Sequence, residues 1–189
     1  MDKLKIAVIG AGSWGTAISL LLVRNGLSVT LWAHRKEHVD QLKLCNENKT
    51  YLPGFKLSSH LCVTPDINEA IHGASFIIMV VPSHVFRSVF SQIKKLLTTN
   101  QIVVSASKGI ENDSLLTMTQ LMSSEFPLGQ YAVLSGPSFA KEVAAGKPTA
   151  VTVAAQNISV AKAVQDIFFS GNFRVYTSND VIGVELGVL

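Results

Sequence analysis

Three glycines near the start of the chain limit its fold more than any other feature. The stretch KIAVIGAGSWGTA runs from an apolar segment through Gly10, Gly12 and Gly15, in G-x-G-x-x-G spacing, into a helix-length amphipathic segment. The spacing alone is common. Its setting between a buried strand and a helix is that of a dinucleotide-binding turn. Gly10 makes the tight turn, Gly12 lets a pyrophosphate approach the backbone, and Gly15 lets helix and strand pack closely. The helix start then offers unpaired N–H groups to phosphate. Ser13 and Trp14 stand at the crest, where their N–H groups and the Ser13 hydroxyl suit phosphate. Trp14 reads equally well as a cover for apolar surface.

The rest of the chain repeats that opening. Apolar runs predict strands at Lys5–Ile9, Ser28–Trp32, His60–Val63, Phe76–Val81, Gln101–Ser105, Tyr131–Leu134, Ala150–Ala154 and Arg174–Tyr176. Several are apolar on both faces, as strands covered by helices on both sides must be. Helices are predicted at Trp14–Asn25, Pro65–His72, Ser83–Leu97, Ser114–Glu125, Ser138–Ala145 and Val160–Phe168. Thr64 is the expected N-cap of the second, with Pro65 at its first position. Phe86, Val89, Phe90, Ile93 and Leu97 share one helical stripe and read as core. The alternation predicts an α/β fold with a doubly wound, mostly parallel sheet, that is, a Rossmann-type NAD(P)-binding domain.

In such a domain an acidic residue after the second strand holds the ribose 2′-hydroxyl. This chain places His34, Arg35 and Lys36 there. A guanidinium pairs with a 2′-phosphate and stacks on adenine, so the cluster favours NADPH over NADH. The other reading is a solvated helix start with Arg35 and Lys36 in water. Further on, SASKGIE sets Lys108 just past a predicted strand, where open α/β sheets bind ligands. A Lys there holds an anion or polarises a carbonyl oxygen, or simply lies in water. LSGPSFAKEVAAGKPTA gives a turn at Gly136 and Pro137, then a helix starting near Ser138, a second place for a phosphate or a plain capped turn. Lys141 and Lys147 read as exposed.

Composition excludes more than it selects. The chain has 189 residues, is 48% hydrophobic and carries a net charge of +3, too little to argue for nucleic acid. Cys45 and Cys62 lack metal-ligand spacing and read as free thiols of a reducing compartment. His60, His72 and His84 are dispersed, so no metal site is expected. Ser135, Ser138 and the histidines form no nucleophile elbow, which argues against a hydrolase. No signal peptide is evident, and SFIIMVVP falls short of the about 20 residues a bilayer span needs, so a cytoplasmic setting is expected.

Together, GAGSWGTA, YLPG (Tyr51–Gly54), VVPSH (Val80–His84), SKGIE and LSGPSFAKEVAAGKPTAV resemble, in order and spacing, the bacterial NAD(P)-dependent glycerol-3-phosphate dehydrogenases, over essentially the whole chain. The resemblance implies reduction of dihydroxyacetone phosphate to sn-glycerol 3-phosphate for phospholipid synthesis, with NADPH or NADH. It implies cofactor contacts from Gly10, Gly12, Ser13, Trp14, Gly15, His34, Arg35, Lys108 and Ala140. Lys108 also reaches substrate and takes part in catalysis, and Gly136 and Ser138 line the substrate site. The family continues with E-x-G-G-A-L-K-N, whose Lys moves the proton; here the chain reads GVELGVL and stops at Leu189. The expected organisation is therefore a cofactor domain over residues 1–178 and, at 179–189, the first residues of a helical substrate domain otherwise absent. Such a chain is expected to bind NADPH, to turn over poorly alone and to expose apolar surface. Expected partners are the small-molecule substrate and a second copy in a homodimer, with neither nucleic acid nor a membrane. Two alternatives remain open: a non-catalytic nucleotide-sensing module, and another β-hydroxyacid-type dehydrogenase, such as a 3-hydroxyacyl-CoA or 6-phosphogluconate enzyme.

Overall fold

The computed structural model describes residues 4–187. The outermost residues of the two expected segments, 1–3 and 188–189, lie outside that range. Eight strands form one sheet: β1 (Lys5–Ile9), β2 (Ser28–Trp32), β3 (Leu61–Thr64), β4 (Phe76–Met79), β5 (Ile102–Ser105), β6 (Gln130–Ser135), β7 (Thr149–Ala154) and β8 (Phe173–Ser178). Their order is β3-β2-β1-β4-β5-β6-β7-β8. All neighbours are parallel except β6 and β7, which run antiparallel with Leu134 opposite Val153. The chain winds outward from β1 in one direction, then returns to β4 on its other side. The reversal between β1 and β4 leaves a crevice beyond their carboxyl ends, the place where doubly wound sheets bind ligands.

The helices are α1 (Ser13–Arg24), α2 (Lys36–Cys45), α3 (Ile67–Ile71), α4 (Ser83–Ile93), α5 (Met118–Glu125), α6 (Ala140–Ala144), α7 (Ile158–Phe168) and α8 (Val181–Leu186). They cover both faces of the sheet. Ile6, Val8, Val104 and Leu134 belong to a core with α1, α6 and α7 residues such as Leu22, Val143 and Phe168. Ala7, Ile9, Ile77 and Val103 belong to a second core with Phe86 and Phe90 of α4 and Leu121 of α5. Residues one apart on a strand thus enter different cores, as the period of two requires. The stripe expected on α4 is buried at Phe86, Val89, Phe90 and Ile93, and Leu97 packs at its edge beyond the helix end.

Several element ends differ from the sequence expectation. The third helix is capped by the Asp66 side chain, which accepts from the Asn68 N–H at 2.8 Å, and not by Thr64. Thr64 instead bonds Glu69 through its hydroxyl. The fifth helix begins at Met118, not near Ser114. Thr117 and Gln120 form a reciprocal capping box, and Leu115 has φ +56°, which no helix accommodates. The sixth helix begins at Ala140, so Gly136 to Phe139 remain loop and cap. Helix α2 was not anticipated, because it buries only Val39 and Leu42.

Candidate functional site: the crevice at the strand ends

Between β1 and α1, Gly10 makes the tight turn and Gly15 the close helix–strand approach. Gly10 has φ +122°, and a Cβ there would sit 2.6 Å from the Val80 carbonyl oxygen. A Cβ on Gly15 would sit 1.8 Å from the Gly10 carbonyl oxygen, so only glycine lets the helix turn back so close to the strand. Gly12 differs from both: a Cβ there would meet nothing within 4 Å. Gly12 is the N-cap of α1, no side chain caps it, and the first turn holds no acidic residue. The N–H groups of Ser13, Trp14 and Gly15 thus have no partner within the helix and stand at the positive end of its dipole. The room over Gly12, with unspent donors beside it, makes a cradle that fits a pyrophosphate.

The cradle forms one wall of a cavity of about 750 Å³. His34 and Arg35 come from the end of β2 and the cap of α2, and both are exposed and border the cavity; Lys36 does not. The His34 ring lies 5.8 Å from that of Trp32, centroid to centroid. Trp32 itself is fixed by its indole N–H, which donates to the Pro65 carbonyl at 2.9 Å. Trp14 borders the cavity and also packs against the core that includes α1.

Lys108 enters from the loop after β5, exposed and bordering the same cavity. That loop is clamped on both sides of the lysine. The Ser107 hydroxyl donates to the Val81 carbonyl at 2.6 Å. Glu111 accepts two bonds from the Arg87 guanidinium of α4, both at 2.6 Å. Arg87 also reaches Glu125 of α5, which Lys94 pairs as well. The Arg87 bond, with help from the Ser114 hydroxyl, holds the Glu111 carboxyl down to about 2.

The opposite wall is the loop between β6 and α6. Ser138, Phe139 and Ala140 border the cavity. Arg24, in the last turn of α1, donates to the carbonyls of Ala144 at 2.8 Å and Val143 at 2.6 Å. It caps α6 and ties that wall to the helix that starts at the glycines. Gly136 is buried just outside the cavity, where a Cβ would lie 2.9 Å from Val151 Cα. Lys141 and Lys147 are exposed, and so are His60, His72 and His84. Cys45 and Cys62 are free and exposed.

Sequence reasoning assigned no role to Asn48, His38 or Tyr51, although Tyr51 opens the YLPG motif. His38 and Tyr51 border the cavity, and their rings meet edge to face at 5.2 Å. Asn48 is 1% exposed and makes hydrogen bonds to the glycine loop. Its only sequence signal is its place three residues ahead of Tyr51 in YLPG, which gives no hint of the contact.

Three comparisons agree with this geometry. Residues 5–161 match the family model described as NAD-dependent glycerol-3-phosphate dehydrogenase N-terminus. The chain is 50% identical over 186 residues to glycerol-3-phosphate dehydrogenase [NAD(P)+] of Bacillus velezensis, covering 97% of this chain and 54% of the relative. It is 51% identical over 187 residues to the enzyme of that name from Desulfotalea psychrophila, covering 96% and 55%. The crystal structure of glycerol-3-phosphate dehydrogenase from Coxiella burnetii superposes with a TM-score of 0.93 at 38% identity, covering 97% of this chain and 56% of that one. The chain therefore spans about half the length of the curated relatives it matches. With that match running from β1 into α7, the chain belongs to the NAD-dependent glycerol-3-phosphate dehydrogenase N-terminus family.

Proposed function

We propose that this chain is the dinucleotide-binding half of an enzyme that transfers hydride between NADPH, or NADH, and dihydroxyacetone phosphate, giving sn-glycerol 3-phosphate for phospholipid synthesis. One observation carries the reading. The glycine cradle, the basic pair His34–Arg35, Lys108 and the Ser138–Ala140 wall come from four separate chain segments and border one cavity. A nucleotide sensor would need the first two alone. The matches reported above name glycerol-3-phosphate dehydrogenases and not the other β-hydroxyacid enzymes. A cytoplasmic setting and a homodimer belong to the same reading; two exposed free thiols suit a reducing compartment.

In this reading the N–H groups of Ser13 and Trp14 and the dipole of α1 hold the pyrophosphate. Arg35, assisted by His34, pairs with the 2′-phosphate and faces the adenine. Ala140 closes the other side. The bound nicotinamide supplies the hydride. Lys108 sets an ammonium group where negative charge grows on the substrate oxygen, and its loop, held by Ser107 and Glu111, keeps it there without reorganisation. Ser138 receives the substrate phosphate, and Gly136, packed against β7 outside the cavity, sets the turn that carries it.

The test is NADPH oxidation by this chain supplied with the remaining half of a relative such as the Bacillus velezensis enzyme, since the chain alone is expected to turn over poorly, with dihydroxyacetone phosphate, a 3-hydroxyacyl-CoA partner ketone or a 6-phosphogluconate-derived ketone as acceptor. Only the first is expected to support turnover, and Lys108→Ala is expected to lower that rate by about 100-fold or more. Turnover of another acceptor in preference to dihydroxyacetone phosphate, or an unaffected Lys108→Ala variant, contradicts the assignment.

A further inference from the structure

Asn48 lies 32 residues from Thr16 and 37 from Ala11 in sequence, yet its side chain bonds both. Its Nδ2 donates to the Ala11 carbonyl at 3.0 Å and to the Thr16 hydroxyl at 2.8 Å. That hydroxyl in turn donates to the Gly12 carbonyl at 2.8 Å. The Asn48 Oδ1 accepts from the Tyr51 N–H at 3.2 Å and faces His38 Nε2 at 3.2 Å. A carbonyl accepts only and a backbone N–H donates only, so the orientation of the amide is fixed. His38 Nε2 must then carry a proton to make its bond. All four hydrogen-bonding places of the Asn48 amide are filled, and the residue is 1% exposed.

The two ends of this network border different parts of the cavity. Ala11 and Gly12 form the cradle at the start of α1; His38 and Tyr51 stand on the side of the β2 end, with Arg35. In the dinucleotide reading the pyrophosphate meets the first and the adenosine the second. We propose that Asn48 is a positioning residue for the cofactor: it locks the glycine loop to the His38–Tyr51 wall, so both ends of the dinucleotide meet a single preset geometry. The inference rests on the dinucleotide reading given above. Asn48 touches neither end of the ligand. It acts through the Gly12 carbonyl, held by Thr16, and through the His38 ring. The 2′-phosphate is not part of this network, so Asn48 affects NADPH and NADH alike.

The test is a titration of the parent chain, Asn48→Ala and Thr16→Val with NADPH and with NADH, at a temperature where each is folded. Asn48→Ala is expected to weaken both dinucleotides about tenfold or more and by a common factor, leaving the ratio between them unchanged. Thr16→Val removes two bonds of the network, against four lost in Asn48→Ala, and is expected to weaken both by less. In the parent, the His38 Nε2–H resonance is expected to shift when NADPH is added, a signature that a residue needed only for folding would not produce. A folded Asn48→Ala with parent affinities overturns the inference, as does a His38 resonance unmoved by saturating NADPH. The resonance and Thr16→Val carry the test if Asn48→Ala does not fold. A parent chain that binds neither dinucleotide overturns the dinucleotide reading itself, an outcome distinct from a parent that binds and variants that match it.

Discussion

Gly12 and Gly15 are three residues apart and have opposite sensitivities. A methyl group at Gly12 meets nothing within 4 Å, and the residue has φ −74°, open to any side chain. Gly12→Ala is therefore expected to change folding stability by under ~1 kcal/mol, the loss of a glycine cap, while weakening NADPH binding at least tenfold by filling the pyrophosphate's place. A methyl group at Gly15 would stand 1.8 Å from the Gly10 carbonyl oxygen. Gly15→Ala is expected to lower both stability and binding, because α1 must move off β1. Thermal melts and NADPH titrations of the two variants separate these effects. If Gly12→Ala binds as tightly as the parent, the cradle is not where the phosphates sit. The glycines were legible in the sequence because their chemistry is local: a spacing of two and three residues encodes a turn. Lys108, His34 and Arg35 were legible as residues standing past strand ends. Asn48 was not, since its meaning depends on partners 32 and 37 residues away.

At the scale of elements, all eight strands were legible: those buried on both faces, such as β1 and β4, leave a bare apolar run, and β8 alternates buried and exposed residues. Helix α2 was not, because two buried residues in ten leave little periodicity. Helix starts shifted wherever a side-chain cap decided the boundary, at Asp66 and at Thr117 with Gln120. The loop carrying Lys108 depends on one such elemental link, the Arg87–Glu111 pair between α4 and that loop. The pair depresses the Glu111 carboxyl from its ordinary 4.5 to about 2, and Glu125 is lowered as well, chiefly by Lys94. A carboxyl lowered on folding adds stability that is complete above its unfolded value and fades as pH falls through the folded one. Stability is thus expected to decline between pH 4.5 and about 2. Arg87→Ala is expected to flatten that part of the profile and leave the curve near neutrality modestly lower, since the pair is partly exposed. Melting temperatures of both proteins across this range check it; parallel profiles would mean that the pair does not hold the loop.

For the whole molecule, the doubly wound order follows from a repeated strand–helix alternation, and the sequence expressed that plainly. The reversal of β7 against β6 was not legible, because a strand's apolar pattern reads the same in either direction. Helix α8 leaves β8 and is pinned to the sheet's far side: Glu185 accepts from the Thr119 N–H at 2.9 Å and from its hydroxyl at 2.5 Å, at the start of α5. Glu185→Ala is expected to speed hydrogen exchange at residues 181–186 while leaving the cores of the two faces protected. Unchanged exchange would mean that packing alone holds α8. Large apolar side chains are exposed at Phe139, Tyr176, Ile182 and Leu186. The claim on which everything else rests is that the crevice between β1 and β4 holds a dinucleotide by its pyrophosphate, with Arg35 reading the 2′-phosphate. Calorimetric titration of this chain with NADPH and NADH, at low and raised salt, tests it most directly. The expected result is that both bind, NADPH more tightly, with its advantage shrinking as salt screens the exposed guanidinium. Binding of neither would contradict the account, and equal, salt-insensitive affinities would remove Arg35 from it.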